Sequence, residues 1–346
     1  MHLTDHSIEE LEALMSEWGE PSYRAGQIFS WLHKGTPVSE MQNLPRTLRQ
    51  RLEEIPYGGV SVFQKRISSL DGTAKYLFLL EDDNLIEGVL MRYRYGNTAC
   101  ISTQVGCRMG CRFCASTLEG RVRDLSAGEM LSEITAIEKD EPAPAGSRTV
   151  TNVVLMGSGE PLDNFDEVVR FLHLVTDPNG INISPRNISV STCGLVPLIY
   201  RFMKEAPHVT LSISLHAHND ETRSRIMPIN KVYPLQDVVN AARLYATETG
   251  RRVVFEYALI AGVNDADDDA VRLSRLLRGI NCHVNLIPLN SVPERSLTGS
   301  GKKRAREFCQ KLLSLHTSAT IRREMGADIE GACGQLRRRV KNDLHL

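Results

Sequence analysis

Three closely spaced cysteines are the residues of this sequence best suited to chemistry. Cys107, Cys111 and Cys114 are separated by three and two residues, so one loop can bring three thiolates onto a single metal cluster. A structural zinc site would need a fourth cysteine or histidine at similar spacing, and residues 115–123 contain neither. A [4Fe–4S] cluster held by only three cysteines keeps one iron open for a substrate. The motif therefore predicts a catalytic iron–sulfur cluster rather than a zinc site or three unrelated buried cysteines.

The composition of the 346-residue chain is typical of a globular protein. Hydrophobic residues make up 42%, and 41 basic residues balance 42 acidic ones, which argues against a disordered chain. No apolar run of about 20 residues indicates a membrane span, and the N-terminus lacks the apolar stretch of an export signal. We therefore expect a cytoplasmic protein, in which the eight cysteines serve metal binding or catalysis rather than structural disulfides.

From residue 98 onward, a pattern of strand, loop and helix is repeated six times. The candidate strands are apolar on both faces, as buried parallel strands are, and lie at 98–104, 150–156, 187–192, 209–215, 252–260 and 282–288. The candidate helices lie at 127–139, 165–176, 197–205, 235–249, 266–279 and 302–315. Six βα units predict a parallel sheet that curls into an open barrel or is wound on both faces.

The first 97 residues show two other patterns. Residues 1–57 predict short helices, the first of which begins with a capping box formed by Ser7 and Glu10. Residues 58–97 alternate between apolar and polar positions and contain Asp71-Gly72, a strong hairpin signal. We therefore expect three parts: a helical accessory module at 1–57, an antiparallel β extension at 58–97 and a catalytic core at 98–346.

Polar residues and glycines are concentrated directly after the predicted parallel strands. They lie at 157–161 after the second strand, at 191–194 after the third, at 214–216 after the fourth and at Asn290 after the sixth. Sites in parallel α/β sheets form at the carboxyl ends of the strands. We therefore expect these residues to meet the cysteine loop at one edge of the sheet.

The cysteine motif and six further segments resemble the RlmN/Cfr family of radical S-adenosylmethionine (SAM) RNA methyltransferases. Phe113 stands in the cysteine loop where the radical SAM superfamily usually has an aromatic residue. The other matching segments, which occur in the order of the family, are residues 103–107, 159–162, 213–217, 228–230, 285–288 and 332–336. The resemblance covers nearly the whole chain and implies a partial (βα)6 TIM-like radical SAM barrel.

The resemblance also implies which residues bind the cofactors. Cys107, Cys111 and Cys114 would hold a [4Fe–4S] cluster whose open iron binds the amino and carboxylate groups of SAM. The further positions that match SAM contacts are Gly159, Glu160, Ser191, Ser214, Leu215, His216 and Asn290. Gly159 permits close approach of the backbone, and the Glu160 carboxylate can pair with the SAM ammonium group.

Two further cysteines and a glutamate match the catalytic residues of the family. Two SAM molecules would be consumed per turnover: one methylates Cys333, and the other provides a 5′-deoxyadenosyl radical that takes a hydrogen from the S-methyl group. The resulting carbon radical adds to an adenine ring, and Glu87 accepts the ring proton. Cys100 then attacks the Cys333 sulfur, which releases methylated RNA and leaves a disulfide. Both sulfurs must therefore come within disulfide reach.

The implied product is adenine methylated at C2, at position 2503 of 23S rRNA and also at position 37 of transfer RNA. Pro161 after Glu160 is similar to RlmN rather than to Cfr, which methylates C8 of the same rRNA adenine. The implied partners are 23S rRNA, transfer RNA, an electron donor such as flavodoxin or ferredoxin, and a thiol reductant for the Cys100–Cys333 disulfide. We expect no membrane partner and a monomeric chain. Two alternatives stay open: an iron–sulfur protein that binds RNA without methylating it, and another radical SAM enzyme such as an activase or a methylthiotransferase.

RNA binding predicts local positive charge in a chain whose net charge is −1. The candidates for phosphate contacts are basic runs at 302–306, 322–323 and 337–341 and the arginines near the cysteine loop, namely Arg92, Arg94, Arg108, Arg112, Arg121 and Arg123. Cys193, Cys282 and Cys309 match no functional position, and we interpret them as packing residues.

Overall fold

The computed structural model describes residues 1–144, 146–289 and 294–329, together with residues 336 and 340. Its central element is a ten-stranded mixed sheet, beside which lies a two-stranded ribbon. The strands of the described residues are β1 Val60–Ile67, β2 Ala74–Leu80, β3 Leu85–Tyr93, β4 Gly96–Ile101, β5 Gln104–Gly106, β6 Arg121–Asp124, β7 Asn152–Leu155, β8 Ile188–Thr192, β9 Thr210–Ser214, β10 Val253–Leu259, β11 Cys282–Pro288 and β12 Ala319–Ile321.

Ten α-helices accompany the strands within the same described ranges. They are α1 Ile8–Trp18, α2 Tyr23–Leu32, α3 Arg46–Leu52, α4 Ala127–Asp140, α5 Phe165–Thr176, α6 Val196–Glu205, α7 Asp220–Ile226, α8 Leu235–Thr249, α9 Asp267–Leu276 and α10 Lys302–Ser314. None of these helices has the length and apolar character that crossing a membrane requires.

The main sheet joins an antiparallel half to a parallel half at strand β4. The strand order is β1-β2-β3-β4-β7-β8-β9-β10-β11-β12. Strand β4 pairs antiparallel with β3 and parallel with β7, and each later pair is parallel. Residues from β7 to β11 line one concave cleft, and within the described residues β1 and β12 remain the two edges. The predicted open barrel with an antiparallel β extension is therefore confirmed.

The structure contains three elements that the sequence did not predict. Strand β12 adds a seventh parallel strand, but its three residues are too few to show a periodicity. Helix α7 begins after Asn219, whose side chain accepts a hydrogen bond from the Thr222 N–H. The third element is the β5–β6 ribbon, which separates from the predicted strand 98–104 because β4 ends at Ile101.

The N-terminal helices share an apolar core with the barrel. The capping box of Ser7 and Glu10 is present at the start of α1, as predicted. Leu11 on α1 and Ile28 on α2 are fully buried in the same apolar cluster as residues of α4. The Asp5 carboxylate also accepts a hydrogen bond from the Gly128 N–H at 2.8 Å, at the first turn of α4. The division at residue 57 stays a prediction, but these contacts attach residues 1–57 firmly to the barrel.

Candidate active site

One cleft at the carboxyl ends of the parallel strands contains most of the predicted site residues. Its cavity volume is about 240 Å³, and it opens to solvent on one side. Its lining includes Cys107, Cys111, Cys114, Gly159, Glu160, Ser191, Ser214 and His216. The structure thus brings the cysteine loop and three strand ends together in the way that the strand-end pattern predicted.

The backbone of the cysteine loop is held at both ends by hydrogen bonds. The Cys107 N–H donates to the Gly120 carbonyl at 2.9 Å, where the loop leaves the β5–β6 ribbon. The Thr117 hydroxyl donates to the Cys111 and Cys114 carbonyls, at 3.0 Å each. The three cysteine side chains therefore keep a fixed arrangement on one wall of the cleft.

The electrostatics of the loop indicate that it requires a cationic partner. Burial raises the pKa of Cys107 to about 12 and the pKa of Cys111 well above its ordinary value, and the neighbouring sulfurs act in the same direction. Three thiolates would be unstable here without positive charge to compensate them.

Thiolates are the ordinary ligands of iron–sulfur clusters, and all three cysteines line the same cleft. The donor set therefore fits a [4Fe–4S] cluster.

Arg223 fixes two of the strand ends that form the cleft, a role that sequence analysis did not identify. Its guanidinium is fully buried and donates to the Cys193 carbonyl at 2.7 Å and to the Ser214 carbonyl at 3.1 Å. It also donates to the Asn230 side chain at 2.9 Å. Burial lowers the pKa of Arg223, although arginine stays protonated in proteins. The residues after β8 and β9 are consequently held in one geometry by a single cation.

Glu160 is a buried carboxylate at the cleft wall. One oxygen accepts a hydrogen bond from the Cys193 N–H at 2.7 Å, and the other accepts from the Leu162 N–H at 3.1 Å. Burial raises the pKa of Glu160, and these donors act in the opposite direction. A ligand that carries positive charge would favour the ionised form.

Gly159, which precedes this carboxylate, has no room for a side chain. Its φ is +116°, and a Cβ at this position would lie 2.5 Å from Thr103 Oγ1 and 2.8 Å from the Gln104 nitrogen. Only glycine tolerates both constraints, so the turn that presents Glu160 depends on it.

The end of β9 presents alternate residues to the cleft. Ser214 and His216 line it, whereas the Leu215 side chain is fully buried outside the lining. His216 adopts a φ of +56°, and its Nδ1 accepts a hydrogen bond from the Ala258 N–H at 2.9 Å. Burial lowers the pKa of His216 to about 3, so the ring is neutral at pH 7. The edge of this ring contacts Phe113 of the cysteine loop, with centroids 4.8 Å apart.

One acidic residue of the cleft lining was missed by sequence reasoning. Glu256 on β10 is 4% exposed, and its carboxylate accepts a hydrogen bond from the Asn285 side chain at 2.9 Å. Burial raises the pKa of Glu256, and Arg322, which also lines the cleft, lowers it. A lone acid in the middle of an otherwise apolar strand was the signal that could have revealed Glu256.

Cys100 and Glu87 lie on one face of the sheet, next to the cleft. Cys100 on β4 pairs with Val89 on β3, and Glu87 points to the same face because it precedes Val89 by two residues. Cys100 is 4% exposed and packs in an apolar cluster with Met156, which lines the cleft. The structure therefore brings both predicted residues to the rim of the site.

Glu87 forms a buried ion pair that the sequence did not reveal. The ammonium group of Lys75 on β2 lies 3.2 Å from a Glu87 oxygen, and the two side chains are 0% and 4% exposed. Two buried charges of opposite sign offset part of the cost of removing each from water.

Some predicted residues lie outside the described part of the chain. Asn290 and Cys333 are among them, as are residues 337–339 and 341 of the last basic run. Of the arginines near the cysteine loop, four form ion pairs with acids of the chain itself: Arg92, Arg108, Arg121 and Arg123. Those four arginines are held in ion pairs within the chain, while Arg94 is exposed to solvent.

Comparison with known protein families gives two matches. Residues 101–274 match the model of the radical SAM superfamily, and residues 1–57 match that of the ribosomal RNA large subunit methyltransferase N-terminal domain. The first of these covers the described cysteine loop and the strands β7 to β10.

Individual relatives are similar over almost their whole length. A probable dual-specificity RNA methyltransferase RlmN of Thermoanaerobacter sp. is 48% identical over 98% of both chains. Its namesake from Clostridium acetobutylicum is 49% identical over 97% of both chains. The crystal structure of a radical SAM methyltransferase from Sphaerobacter thermophilus superimposes with a TM-score of 0.92 at 43% identity, covering 97% of this chain and 98% of that one.

The role of the cysteine loop can be tested by replacing one ligand. We expect Cys111→Ala to lose the iron–sulfur cluster, because two thiolates cannot hold a cluster that needs three. The measurement is iron and sulfide content after anaerobic reconstitution. Cys193→Ala is the matched control, since Cys193 is an equally buried thiol of the same cleft and should leave iron content unchanged. Full iron content in Cys111→Ala, or equal losses in both variants, would contradict the assignment.

The buried pair of Lys75 and Glu87 can be tested through stability. We expect Lys75→Met to lower the free energy of unfolding by about 3–5 kcal/mol, because it removes the positive charge beside a buried carboxylate. The double variant Lys75→Met/Glu87→Gln removes both charges and should lose clearly less. Denaturant titration of the wild type, Lys75→Met, Glu87→Gln and the double variant measures the difference. If the double variant is as unstable as the sum of both single changes, the two side chains do not act as a pair.

Proposed function

Because this chain belongs to the RlmN family of radical SAM RNA methyltransferases, we propose that it methylates C2 of adenine in RNA. The proposed targets are adenine 2503 of 23S rRNA and adenine 37 of transfer RNA. The enzyme uses a [4Fe–4S] cluster and SAM. Family membership removes the alternative of a non-catalytic RNA-binding protein. The observation that carries the proposal is that the cysteine loop and the Cys100 face of the sheet meet at one cleft.

We propose that Cys107, Cys111 and Cys114 hold the cluster on one wall of this cleft. When bound, the reduced cluster supplies the electron that cleaves SAM. The remaining strand-end residues would bind the SAM molecule itself: the Glu160 carboxylate would pair with its ammonium group, while Ser191 and Ser214 offer hydroxyls. This assignment is supported by their common lining of the cleft. Asn290, outside the described residues, belongs to the same proposal, as does the backbone of Leu215.

His216 suits a place beside a cationic ligand because it is neutral. With Nδ1 accepting from the Ala258 N–H, the ring proton resides on Nε2, which can donate a hydrogen bond into the cleft. Its low pKa means that the ring adds no positive charge to a site that must accept a sulfonium cation. We propose that His216 orients the ligand and does not transfer protons.

The transfer of the methyl group to adenine would take place at the face of the sheet that bears Cys100. We propose that Cys333 carries the methyl group to adenine and that its carbon becomes bonded to C2. The addition leaves an unpaired electron on the ring, which would pass back to the cluster; the C2–H bond breaks, its proton passes to the Glu87 carboxylate, and its electron pair restores the aromatic ring. The Cys100 thiolate then attacks the Cys333 sulfur: an S–S bond forms, the bond between that sulfur and the methylene carbon breaks, and its electron pair stays on the carbon, which takes up a proton and becomes the methyl group. The burial of Cys100 and Glu87 on one face supports these roles, in which Glu87 accepts the proton and Cys100 attacks the sulfur.

The proposed cycle leaves requirements that other proteins must meet. SAM cleavage needs one electron, which a flavodoxin or a ferredoxin could donate, and the Cys100–Cys333 disulfide needs a thiol reductant before the next turnover. We propose a monomeric cytoplasmic enzyme, consistent with the reducing compartment that these thiols need.

The product formed on RNA tests the proposal directly. We expect anaerobically reconstituted enzyme, given SAM, a reductant and a 23S rRNA transcript, to yield 2-methyladenosine by mass analysis of the nucleosides. Cys333→Ala should give none, because no methyl group can be loaded. Cys309→Ala, a half-buried cysteine on α10, should match the wild type. A yield of 8-methyladenosine would show the Cfr-like reaction instead, and SAM cleavage with unmodified RNA would contradict the proposal.

A further inference from the structure

A stacked pair of tyrosines projects from the turn between β3 and β4. The rings of Tyr93 and Tyr95 have centroids 5.0 Å apart and an interplanar angle of 6°. Tyr95 is 75% exposed, which makes it the most exposed large apolar side chain of the described residues. A pair that only stabilised the turn would have no need to present one ring almost entirely to solvent.

Tyr93, the half-buried member of the pair, links the turn to the face of the sheet that bears Cys100. Tyr93 packs against the apolar cluster formed by Val89, Met91 and Cys100, to which Met156 of the cleft also belongs. The Tyr93 ring therefore lies between the Tyr95 ring and the face that bears Cys100 and Glu87.

Positive charge surrounds the same turn. Burial raises the pKa of Tyr93 and of Tyr95, but Arg322 acts on both rings in the opposite direction, and Arg323 does so on Tyr93. Met325 packs against the same apolar cluster as Tyr93, so the segment that carries Arg322 and Arg323 passes beside the turn. Arg322 also lines the cleft, whereas Arg323 and Arg94 are exposed. An exposed aromatic ring flanked by arginines has the chemistry of a single-stranded nucleic-acid site.

The reaction itself requires unstacked RNA near this turn. Adenine C2 cannot reach a cysteine sulfur while the base stays stacked between its neighbours, so the target base must leave the stack. One neighbouring base then loses a stacking partner, and an exposed aromatic ring on the same face of the sheet as Cys100 can replace that partner.

We propose that Tyr95 is a stacking platform for an unpaired RNA base next to the target adenine, with Arg322 and Arg323 binding the adjoining phosphates. The inference rests on the proposed function, since it assumes that RNA is the substrate. It adds a contact to a base that does not depend on which base it is.

Three variants separate stacking from other roles of Tyr95. Tyr95→Ala should weaken binding of a 23S rRNA stem-loop transcript by roughly 5- to 150-fold, the effect expected for one base–aromatic stack. Tyr95→Phe should bind like the wild type because it keeps the ring. Tyr200→Ala is the matched control, since Tyr200 is a partly exposed tyrosine on α6 at 37% exposure. All three should retain iron and RNA-independent SAM cleavage.

The salt dependence of binding separates the arginines from the tyrosine. Arg323→Gln should reduce the slope of log K against log salt by about one, as the loss of one phosphate contact does, while Tyr95→Ala leaves the slope unchanged. A transcript with 2-aminopurine beside the target adenine should show fluorescence quenching on the wild type that is lost on Tyr95→Ala.

The outcomes also distinguish the two proposals. If the wild type binds and methylates the transcript but Tyr95→Ala binds equally well, the stacking platform is wrong and the proposed function stands. Equal damage in Tyr95→Phe and Tyr95→Ala would likewise overturn stacking. If the wild type binds no RNA at all, both proposals fail.

Discussion

The buried guanidinium of Arg223 is the interaction on which the geometry of the cleft depends. It binds backbone carbonyls at the ends of two neighbouring strands, so their relative position is set by one rigid, planar group rather than by loop packing. Its charge also favours negative charge on Cys111 and Cys193 nearby. A desolvated cation is costly unless hydrogen-bonded, and Arg223 meets that requirement with carbonyls and the Asn230 amide.

Around this cation, the cleft contains thiols and carboxyl groups whose charged forms are unfavourable until a cofactor is bound. Burial raises the pKa of two of the cysteine thiols and of the acids Glu160 and Glu256, while His216 stays neutral. Such a site gains most from ligands that bring positive charge, as an iron–sulfur cluster and a sulfonium do. The Cys100 face is different in kind: it is apolar, and its buried charges, Lys75 and Glu87, are already paired. The fold thus places the cleft, with its ionisable groups, next to an apolar face that contains a cysteine thiol.

Much of this arrangement could be predicted from the sequence because it follows from local patterns. Apolar runs revealed the six longer parallel strands, and strand-end positions identified the cleft with Glu160, Ser214 and His216. The failures have equally physical causes. Arg223, Glu256 and Lys75 are charged residues buried by long-range partners, and a sequence pattern classes such residues as exposed. The β5–β6 ribbon was missed because its strands, of three and four residues, are too short to show a periodicity. Asn290 and Cys333 lie outside the described residues, so their placement stays a prediction.

The covalent link between protein and RNA is the most direct test of the two-cysteine reaction. In the Cys100→Ala variant the methylene bridge between the Cys333 sulfur and adenine C2 can form but cannot be resolved. Peptide mass mapping after nuclease digestion should therefore find an adenosine attached to the peptide that contains Cys333, and the Cys100→Ala/Cys333→Ala variant should lack it. Normal turnover by Cys100→Ala, or an attachment at any other residue, would contradict the proposed chemistry.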